Sequence, residues 1–396
     1  MTTLELSRWA AASLFGVCFV LIAAVNVRVM LILPRRIPEG QRGPSPIPII
    51  GGFFGAIACA MAPIETVRWF AWLPLVLDPG SLPLVCLAVI AIRREADRVI
   101  AQAESPASAA LRHAATGCLL GTAVGDALGL AGEGFSRRRL ARVFPDVSRY
   151  HLLAGKGLCS DDTEHACLTA QAFLAAHRSA AKPFPAVFAS ALASRLRWWL
   201  AGLPAGIGMA TGKAILKLWL GWPPEKSGVN SAGNGPAMRA PILGGLLGQD
   251  PPLLRDFIRV STRLTHTDPR AEQGAVAVAW AAHLSALTPA ETFNPHVLSR
   301  EIAAQLDSGA AELHDLIMRA GQSAARGEST ADFAAGIGCA EGVSGYMLHT
   351  VPVALHAWLT HPDNLAAALA AAICCGGDTD SVAAIVGGLA GARVGR

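Results

Sequence analysis

The chain begins with long apolar stretches that predict membrane helices. Residues 9–33 are almost continuously apolar, and Arg28 is the only charge inside them. A bilayer core requires about 20 such residues. A second apolar stretch covers 47–64 and a third covers 69–92, although Asp78-Pro79-Gly80 interrupts the third and indicates a turn. This pattern predicts two to three transmembrane helices.

Arginines flank these stretches unevenly and predict an orientation. Three lie in the first loop, one lies in the second, and three more follow the third stretch. The positive-inside rule then places the rest of the chain in the cytoplasm. A cleavable signal peptide is the weaker alternative, because its apolar region is only about 7–15 residues long. We therefore interpret residues 1–98 as a multi-pass region in contact with membrane lipid, followed by a linker at 99–110.

From residue 111 onward the pattern becomes helical. Alanine and leucine recur at three- and four-residue spacing, with proline or glycine between the runs and little β-branched alternation. This predicts an all-α domain over 111–396. The predicted helices include 111–128, 162–176, 185–200, 211–220, 271–287, 295–307, 364–374 and 381–392.

Composition supports the membrane region and excludes other classes. The hydrophobic fraction of 52% exceeds the share of about 45–50% found in soluble domains. A net charge of +4 is small for this length and no basic run interleaves with aromatics, so no nucleic acid is expected as a partner. The nine cysteines include no CxxC pair, which favours buried reduced thiols over a zinc site or a disulfide framework.

Two clusters of carboxylates and hydroxyls each open an apolar helical run. The first is Ser160-Asp161-Asp162-Thr163-Glu164, and the second is Gly376-Gly377-Asp378-Thr379-Asp380-Ser381. Hard oxygen ligands crowded at a helix entrance suit a divalent cation. Capping by Asp378 explains the second cluster equally well when it is taken alone. Two such clusters in one chain favour a shared metal site.

Three further motifs are ambiguous alone. Glycines four apart in GCLLGTAVGDALG, at 117–129, suit close helix packing, and Glu133 follows in a Gly-Glu-Gly setting. The loop at 233–241 combines backbone amides with Arg239, which suits a phosphate or a ribose hydroxyl. A solvated arginine in a plain loop is equally consistent. A histidine in the position of His266, in THTD, more often caps a helix or lies in the core than binds a ligand.

The order of the motifs resembles that of the ADP-ribosylglycohydrolase family. GCLLGTAVGDALG with Glu133, SDDTEHA, GNGPAMRAP, THTD and GGDTDS follow one another as they do in this family, over residues 111–396. The resemblance implies an all-helical fold that holds two Mg²⁺ ions, or Mn²⁺, in a cleft. It also implies hydrolysis of the bond between the anomeric carbon of ADP-ribose and a modified side chain.

The resemblance assigns roles position by position. It implies a set of metal ligands made of carboxylates and hydroxyls: Ser160, Asp161, Asp162, Asp378, Asp380 and Ser381. It implies a reacting centre that comprises Glu133, Asp161 and Asp162. It implies a substrate-binding set on the glycine-rich loop and the following motif: Asn234, Gly235, Met238, Arg239 and His266.

Two departures from the family accompany these assignments. Relatives commonly have threonine where this chain has Ser160 and Ser381, and serine keeps the oxygen ligand but loses the methyl group that restricts the rotamer. Relatives also usually continue beyond the last motif helix. We therefore expect one wall of the fold to be missing or supplied otherwise.

The leading hypothesis is a membrane-anchored, magnesium-dependent hydrolase that acts on an ADP-ribosylated protein or another ADP-ribose conjugate. A hydrolase of another nucleotide-ribosyl or phosphate substrate is the second hypothesis, because two-metal sites also serve phosphoryl chemistry. A non-catalytic membrane-bound ADP-ribose sensor is the third. The presence of Glu133 together with all four aspartates disfavours the sensor, since a protein that only binds need not keep them.

Overall fold

A computed structural model describes residues 3–28, 50–79, 83, 106–179, 184–202, 204 and 206–395. The chain divides into two units, Met1–Glu104 and Ser105–Arg396. Within the described residues both units are helical, and the only β-type pairings are isolated bridges. The all-α prediction is therefore confirmed.

Among the described residues of the first unit, one helix is long enough to cross a membrane. Helix α1, Thr3–Val27, has a window at Glu5–Val27 with a mean hydropathy of 2.3 and only 11% of its residues buried. It packs against α2, Ile50–Met61, where the rings of Phe15 and Phe54 lie 5.7 Å apart. Helix α2 has 12 residues, about 18 Å at 1.5 Å per residue. It is therefore shorter than the crossing predicted for residues 47–64.

The third apolar stretch does not begin as a continuous helix. Helices α3, Glu65–Trp69, and α4, Leu73–Leu77, are each five residues long, and α4 ends at Asp78, as the predicted turn requires. The Asp78 side chain is buried and accepts hydrogen bonds from Asn26 Nδ2 at 2.9 Å and from the Gly52 amide at 3.0 Å. The remainder of this stretch, 80–82 and 84–92, lies outside the described residues. The described part of the first unit therefore does not support a multi-pass arrangement.

The second unit is built from α-helices joined by short loops. They are α5 Pro106–Gly129, α6 Arg137–Val143, α7 Asp161–His177, α8 Phe184–Ala201, α9 Met209–Trp219, α10 Pro224–Ser227, α11 Gly235–Met238, α12 Ala240–Leu247, α13 Pro251–Arg263, α14 Pro269–Leu287, α15 Pro295–Ala303, α16 Ala311–Ala325, α17 Thr330–Gly336, α18 Met347–Thr360, α19 Leu365–Ile373 and α20 Thr379–Val394. Short 3₁₀ turns occur at Leu130–Gly132, Leu153–Gly155, Ala290–Thr292 and Ser308–Ala310.

Glycines bring α5 and α20 into backbone contact. A β-carbon on Gly121 would lie 2.0 Å from the carbonyl oxygen of Gly387, and one on Gly117 would lie 2.0 Å from that of Gly391. The reciprocal distance from Gly387 to the Gly121 oxygen is also 2.0 Å. No side chain fits in this contact. The four-residue glycine spacing therefore allows close helix packing, as the sequence predicts. The contact brings the C-terminal end of α5 next to the N-terminal end of α20.

The core behind this pair is held by a short buried chain of hydrogen bonds. Trp358 Nε1 on α18 donates to Ser285 Oγ on α14 at 3.0 Å, and Ser285 Oγ donates to the Leu389 carbonyl on α20 at 2.7 Å. All three residues are buried. Because a buried polar group without a partner costs stability, this chain fixes the relative positions of the three helices. Helix α20 is thereby held by α5 through its glycines and by α14 through Leu389.

Candidate active site

Two helix N-termini meet at one buried carboxylate. Asp162, in the first turn of α7, accepts hydrogen bonds at Oδ2 from Ser160 Oγ at 3.2 Å and from Ser381 Oγ at 3.0 Å. Ser160 caps α7, and Ser381 lies in the first turn of α20. The two acidic clusters are thus joined directly, although 219 residues separate Asp162 from Ser381.

Three buried aspartates gather at this junction. Carboxylate oxygens of Asp126, Asp162 and Asp380 all lie within 4.8 Å of one another. Burial, followed by the negative charges of Asp378 and Glu133, raises the pKa of Asp380 to about 9. Burial, together with the charge of Asp380, also raises the pKa of Asp162 well above its usual range. Such a group of like charges is costly unless protons or cations neutralise it.

The residues present fit a hard divalent cation. Asp162 Oδ1 and Asp380 Oδ1 are buried and have no hydrogen-bond partner among the described residues. Nearly all buried polar atoms in proteins are paired, so two unpaired carboxylate oxygens in one site indicate that a ligand completes them. Carboxylate and hydroxyl oxygens are the donors that Mg²⁺ and Mn²⁺ prefer.

Asp126 is a site residue that the sequence analysis did not single out. Its carboxylate accepts hydrogen bonds from the Ser160 amide at 2.8 Å, from the Thr163 amide at 3.1 Å and from Thr163 Oγ1. It therefore ties α5 to the first turn of α7. It is also the single charge between Ala114 and Gly132, which is a signal that could have identified it.

A tight turn places Glu133 opposite Asp378. The Gly134 amide donates to the Gly377 carbonyl at 2.8 Å, and the Gly377 amide donates to the Phe135 carbonyl at 2.7 Å. Gly377 has a φ of +82°, and a β-carbon there would lie 2.0 Å from the Val343 oxygen. Partial burial and the charges of Asp378 and Asp126 raise the pKa of Glu133. Glu133 can therefore hold a proton closer to neutral pH than an ordinary glutamate does.

The carboxylates line one wall of a cavity of about 340 Å³. The lining also includes residues of the segment 206–211 and of the glycine-rich loop at 231–238. Nine of the residues predicted for the site line this cavity: Glu133, Asp161, Asn234, Gly235, Met238, His266, Asp378, Asp380 and Ser381. Ser160 and Asp162 lie behind this lining. Burial, followed by the charge of Asp126, raises the pKa of Asp161 to about 7.

The glycine-rich loop is attached to the acidic wall. Asn234 Nδ2 donates to Asp378 Oδ2 at 2.7 Å and to Thr350 Oγ1 at 3.1 Å. Gly233 and Gly235 pack on His266, because a β-carbon on either would lie 3.1 Å from an imidazole atom. A side chain at either position would therefore crowd the imidazole.

Arg239 does not have the position predicted for it. It is fully buried, does not line the cavity, and donates to Ser261, Gly235 and Thr265. A phosphate contact requires an accessible guanidinium, so this part of the prediction is not supported. Burial lowers the pKa of Arg239 to about 10, and its charge remains beneath the glycine-rich loop at neutral pH.

His266 lies between this buried cation and the cavity. Its Nδ1 is 2.9 Å from Thr265 Oγ1, and Arg239 Nη2 donates to the same hydroxyl at 2.8 Å. Burial, together with the charge of Arg239, lowers the pKa of His266 to about 3. The imidazole is therefore neutral at physiological pH and offers hydrogen bonding rather than charge.

The profile of the ADP-ribosylglycohydrolase family matches residues 107–396. The chain belongs to this family. An uncharacterized protein of Archaeoglobus fulgidus is 31% identical over 282 residues, which cover 70% of this chain and 86% of that protein. A solved structure named ADP-ribosylglycohydrolase-related protein complex is 25% identical, covers 72% of this chain and 88% of its own, and superposes with a TM-score of 0.51.

Membership in the ADP-ribosylglycohydrolases establishes the reaction class. The chain is a glycohydrolase-type enzyme that acts on ADP-ribose-type glycosidic bonds, as the motif order predicts. The family is metal-dependent, and the buried aspartates in this chain provide a set of residues that fits a metal ion.

Proposed function

We propose that this ADP-ribosylglycohydrolase uses two Mg²⁺ ions to remove ADP-ribose from a modified protein side chain or a small-molecule conjugate. The observation that carries the proposal is the junction of the two acidic helix entrances, with Asp162 Oδ1 and Asp380 Oδ1 buried and unpartnered. The ions would be held by Ser160, Asp161, Asp162, Asp378, Asp380 and Ser381. When bound, they would supply Lewis-acid polarisation and neutralise the clustered carboxylates.

The roles of the protein's own groups follow from the cavity. Glu133 lines it without being buried in the aspartate cluster, and its raised pKa suits proton transfer at the glycosidic bond. Asp161, which also lines the cavity, assists at the reacting centre, and Asp162 acts from behind the lining. Asn234, Gly235, Met238 and His266 would contact the ADP-ribose part of the substrate.

Calorimetry and activity together test the metal site. The parent protein should bind Mg²⁺ and release ADP-ribose from at least one member of a panel of defined ADP-ribosyl conjugates, and chelation should abolish turnover. Asp380→Ala should lose both binding and turnover. Asp315→Ala, at an exposed aspartate away from the site, is the control and should behave as the parent. An unchanged Mg²⁺ titration in Asp380→Ala would remove Asp380 from the proposed site.

Product analysis separates the alternatives. Release of free ADP-ribose supports the proposal, whereas release of phosphate or of another ribosylated product from the same panel supports the second enzyme hypothesis. Binding of ADP-ribose without turnover of any conjugate, in protein loaded with Mg²⁺ or Mn²⁺, supports the sensor.

We also infer that α1 anchors the enzyme in a membrane with the catalytic unit in the cytoplasm. The supporting observations are the apolar, largely unburied α1 and the arginines at 93, 94 and 98. A reporter that is active only outside the cytoplasm, fused after Arg98, should give no signal. A strong signal would reverse the orientation, and recovery of the full chain in the soluble fraction would refute the anchor.

A further inference from the structure

Helix α9 carries apolar side chains on both of its faces, and Lys213 is among the residues that point outward. Thr211, Ala214, Ile215 and Leu218 form the inward face and are buried. The outward face, at 209, 213, 216 and 220, consists of Met209, Lys213, Leu216 and Leu220, where the helix ends. Met209 is 77% exposed and Leu220 is 79% exposed. A surface helix of a soluble protein normally presents polar residues outward, so this face requires a reason.

Tryptophans extend this face into a larger patch. Trp198 on α8, together with Trp219 and Trp222 at the end of α9, are all exposed. The rings of Trp198 and Trp219 lie 5.7 Å apart in an edge-to-face arrangement, so the two helices contribute to one surface. We call Trp198, Met209, Leu216, Trp219, Leu220 and Trp222 the tryptophan patch. Contiguous exposed apolar surface of this kind marks an interaction site in folded proteins.

The patch lies in a stretch of the chain that is itself basic. Residues 195–226 contain five lysines and arginines and one glutamate, a formal charge of +4 that equals the net charge of all 396 residues. Lys213 and Lys226 are exposed, and Lys217 Nζ lies 5.2 Å from the centre of the Trp222 ring. Lysines therefore flank the apolar patch.

We propose that the tryptophan patch binds the surface of a bilayer that contains anionic lipid. Tryptophan prefers the membrane interface, where its ring is apolar and its N–H remains hydrated. Lysines beside it attract anionic headgroups, whereas the cores of protein–protein interfaces are depleted in lysine. The apolar α1 helix also suits a chain that works at a membrane.

The patch also borders the catalytic cavity, because Met209 belongs to both. Bound to a bilayer, the catalytic unit would bring one edge of its cavity close to the headgroups. This arrangement favours ADP-ribosylated substrates that are themselves at the membrane surface. That consequence rests on the proposed function, whereas lipid contact by the patch does not.

Tryptophan quenching in the full chain tests the contact. The protein is reconstituted into vesicles of brominated phosphatidylcholine, with or without phosphatidylglycerol, and compared with the triple variant Trp198→Phe, Trp219→Phe, Trp222→Phe. If the patch contacts lipid, these tryptophans belong to the quenched population, so the quenched fraction of the emission should fall in the variant. The quenched fraction of the parent should also be larger in the anionic vesicles.

The opposite change would overturn the proposal. If the patch faces water, replacing its three tryptophans removes unquenched emission, so the quenched fraction should rise in the triple variant. Acrylamide should then quench these tryptophans equally with and without phosphatidylglycerol. A protein partner would be the alternative occupant of the patch. Lys213→Glu with Lys226→Glu keeps all tryptophans and should abolish the anionic-lipid dependence. Leu174→Ser changes an exposed leucine outside the patch and should leave quenching unchanged. Far-UV circular dichroism confirms folding of each variant.

Discussion

Glu133 is the carboxylate whose surroundings differ most from those of its neighbours. It lines the cavity on a turn held by Gly134 and Gly377, while Asp126, Asp162 and Asp380 are buried among one another. A proton donor and acceptor has to reach the substrate. The structure gives Glu133 that access, which supports assigning proton transfer to it.

Replacement of Glu133 by glutamine tests this assignment. Glu133→Gln keeps the shape of the side chain and removes its titration, so binding of ADP-ribose should be close to that of the parent. The catalytic rate should fall by roughly 10²–10⁴-fold, the range typical of general acid–base groups. Calorimetry with ADP-ribose and steady-state kinetics measure the two effects. If Glu133→Gln turns over substrate at a rate near that of the parent, proton transfer must be assigned to Asp161 or Asp162 instead.

Thr265 sets the tautomer of His266. Because its hydroxyl already accepts from Arg239 Nη2, its proton can go to His266 Nδ1 at 2.9 Å or to the Thr262 carbonyl at 3.4 Å. The shorter contact is the better hydrogen bond, which leaves the proton of the neutral imidazole on Nε2. Arg239 thus acts on the cavity through Thr265 and through the Gly235 carbonyl, although it does not itself line the cavity.

Removal of the Thr265 hydroxyl should therefore be detected at His266. Thr265→Val should mix the two tautomers of His266, visible in the ¹⁵N chemical shifts of its ring, and should raise KM more than it lowers kcat. Thr265→Ser restores the hydroxyl and should restore both. Parent-like ¹⁵N shifts in Thr265→Val would show that another group holds the tautomer.

These residues also show what sequence can and cannot predict about a site. Asp126 was predictable in principle, because a lone charge in an apolar, glycine-rich helix needs a partner. The burial of Arg239 was not, because it depends on Ser261 and Thr265, which lie 22 and 26 residues further along the chain. Local composition around Arg239 resembles that of an exposed phosphate-binding loop.

At the scale of elements, the contact between α5 and α20 positions the metal-site residues. Asp126 lies near the C-terminal end of α5, and Asp380 lies in the first turn of α20. The backbones approach closely enough that a β-carbon on Gly121 would lie 2.0 Å from the Gly387 oxygen. A separation of the helices would therefore move the two carboxylates apart.

We expect Gly121→Ala to separate these helices. Overpacking of this kind typically costs about 1–3 kcal/mol, which should appear as a lower melting temperature and weaker Mg²⁺ binding. Gly336→Ala is the matched control, because nothing lies within 4 Å of its added β-carbon. If Gly121→Ala melts and binds Mg²⁺ as the control does, the close packing does not support the site.

Helical periodicity predicted most of the elements but not all of their ends. The helix predicted at 162–176 is observed at Asp161–His177, whereas that predicted at 295–307 ends at Ala303. Helix α13, Pro251–Arg263, was not among the predicted helices, and it begins with two prolines, Pro251 and Pro252. The structure shows them in the first turn after the Asp250 cap, where proline is tolerated.

At the scale of the whole molecule, hydropathy identifies apolar segments but does not show whether a segment lies in a membrane or in a protein core. Residues 111–132 are apolar enough to span a membrane, yet half of them are buried in the catalytic unit. The apolar stretch at 47–64 contains a helix of only 12 residues. Periodicity and hydropathy do not record which partner covers an apolar face, so the number of membrane spans could not follow from them.

The acidic cluster makes the stability of the whole enzyme depend on pH and metal. The pKa of Asp380 is raised to about 9 and that of Asp161 to about 7, in both cases first by burial and then by neighbouring negative charges. An unfolded aspartate has a pKa of about 3.9. An acid whose pKa is raised on folding makes the native state more stable at low pH than at high pH. This contribution to the free energy of unfolding is lost as the pH rises from about 4 towards 9.

Without metal, the melting temperature should therefore fall as the pH rises from 5 to 8.5. Mg²⁺ offsets the repulsion between ionised aspartates and binds only the folded state, so the increase in melting temperature that it causes should be larger at pH 8 than at pH 5. Asp380→Asn removes the group whose pKa is raised to about 9 and should flatten both dependences. Differential scanning calorimetry in chelator and in Mg²⁺ measures them. If the melting temperature in chelator stays constant over this range, ionisation of the aspartates does not destabilise the folded enzyme. Repulsion between the aspartates would then no longer be a reason to expect a metal ion at this junction.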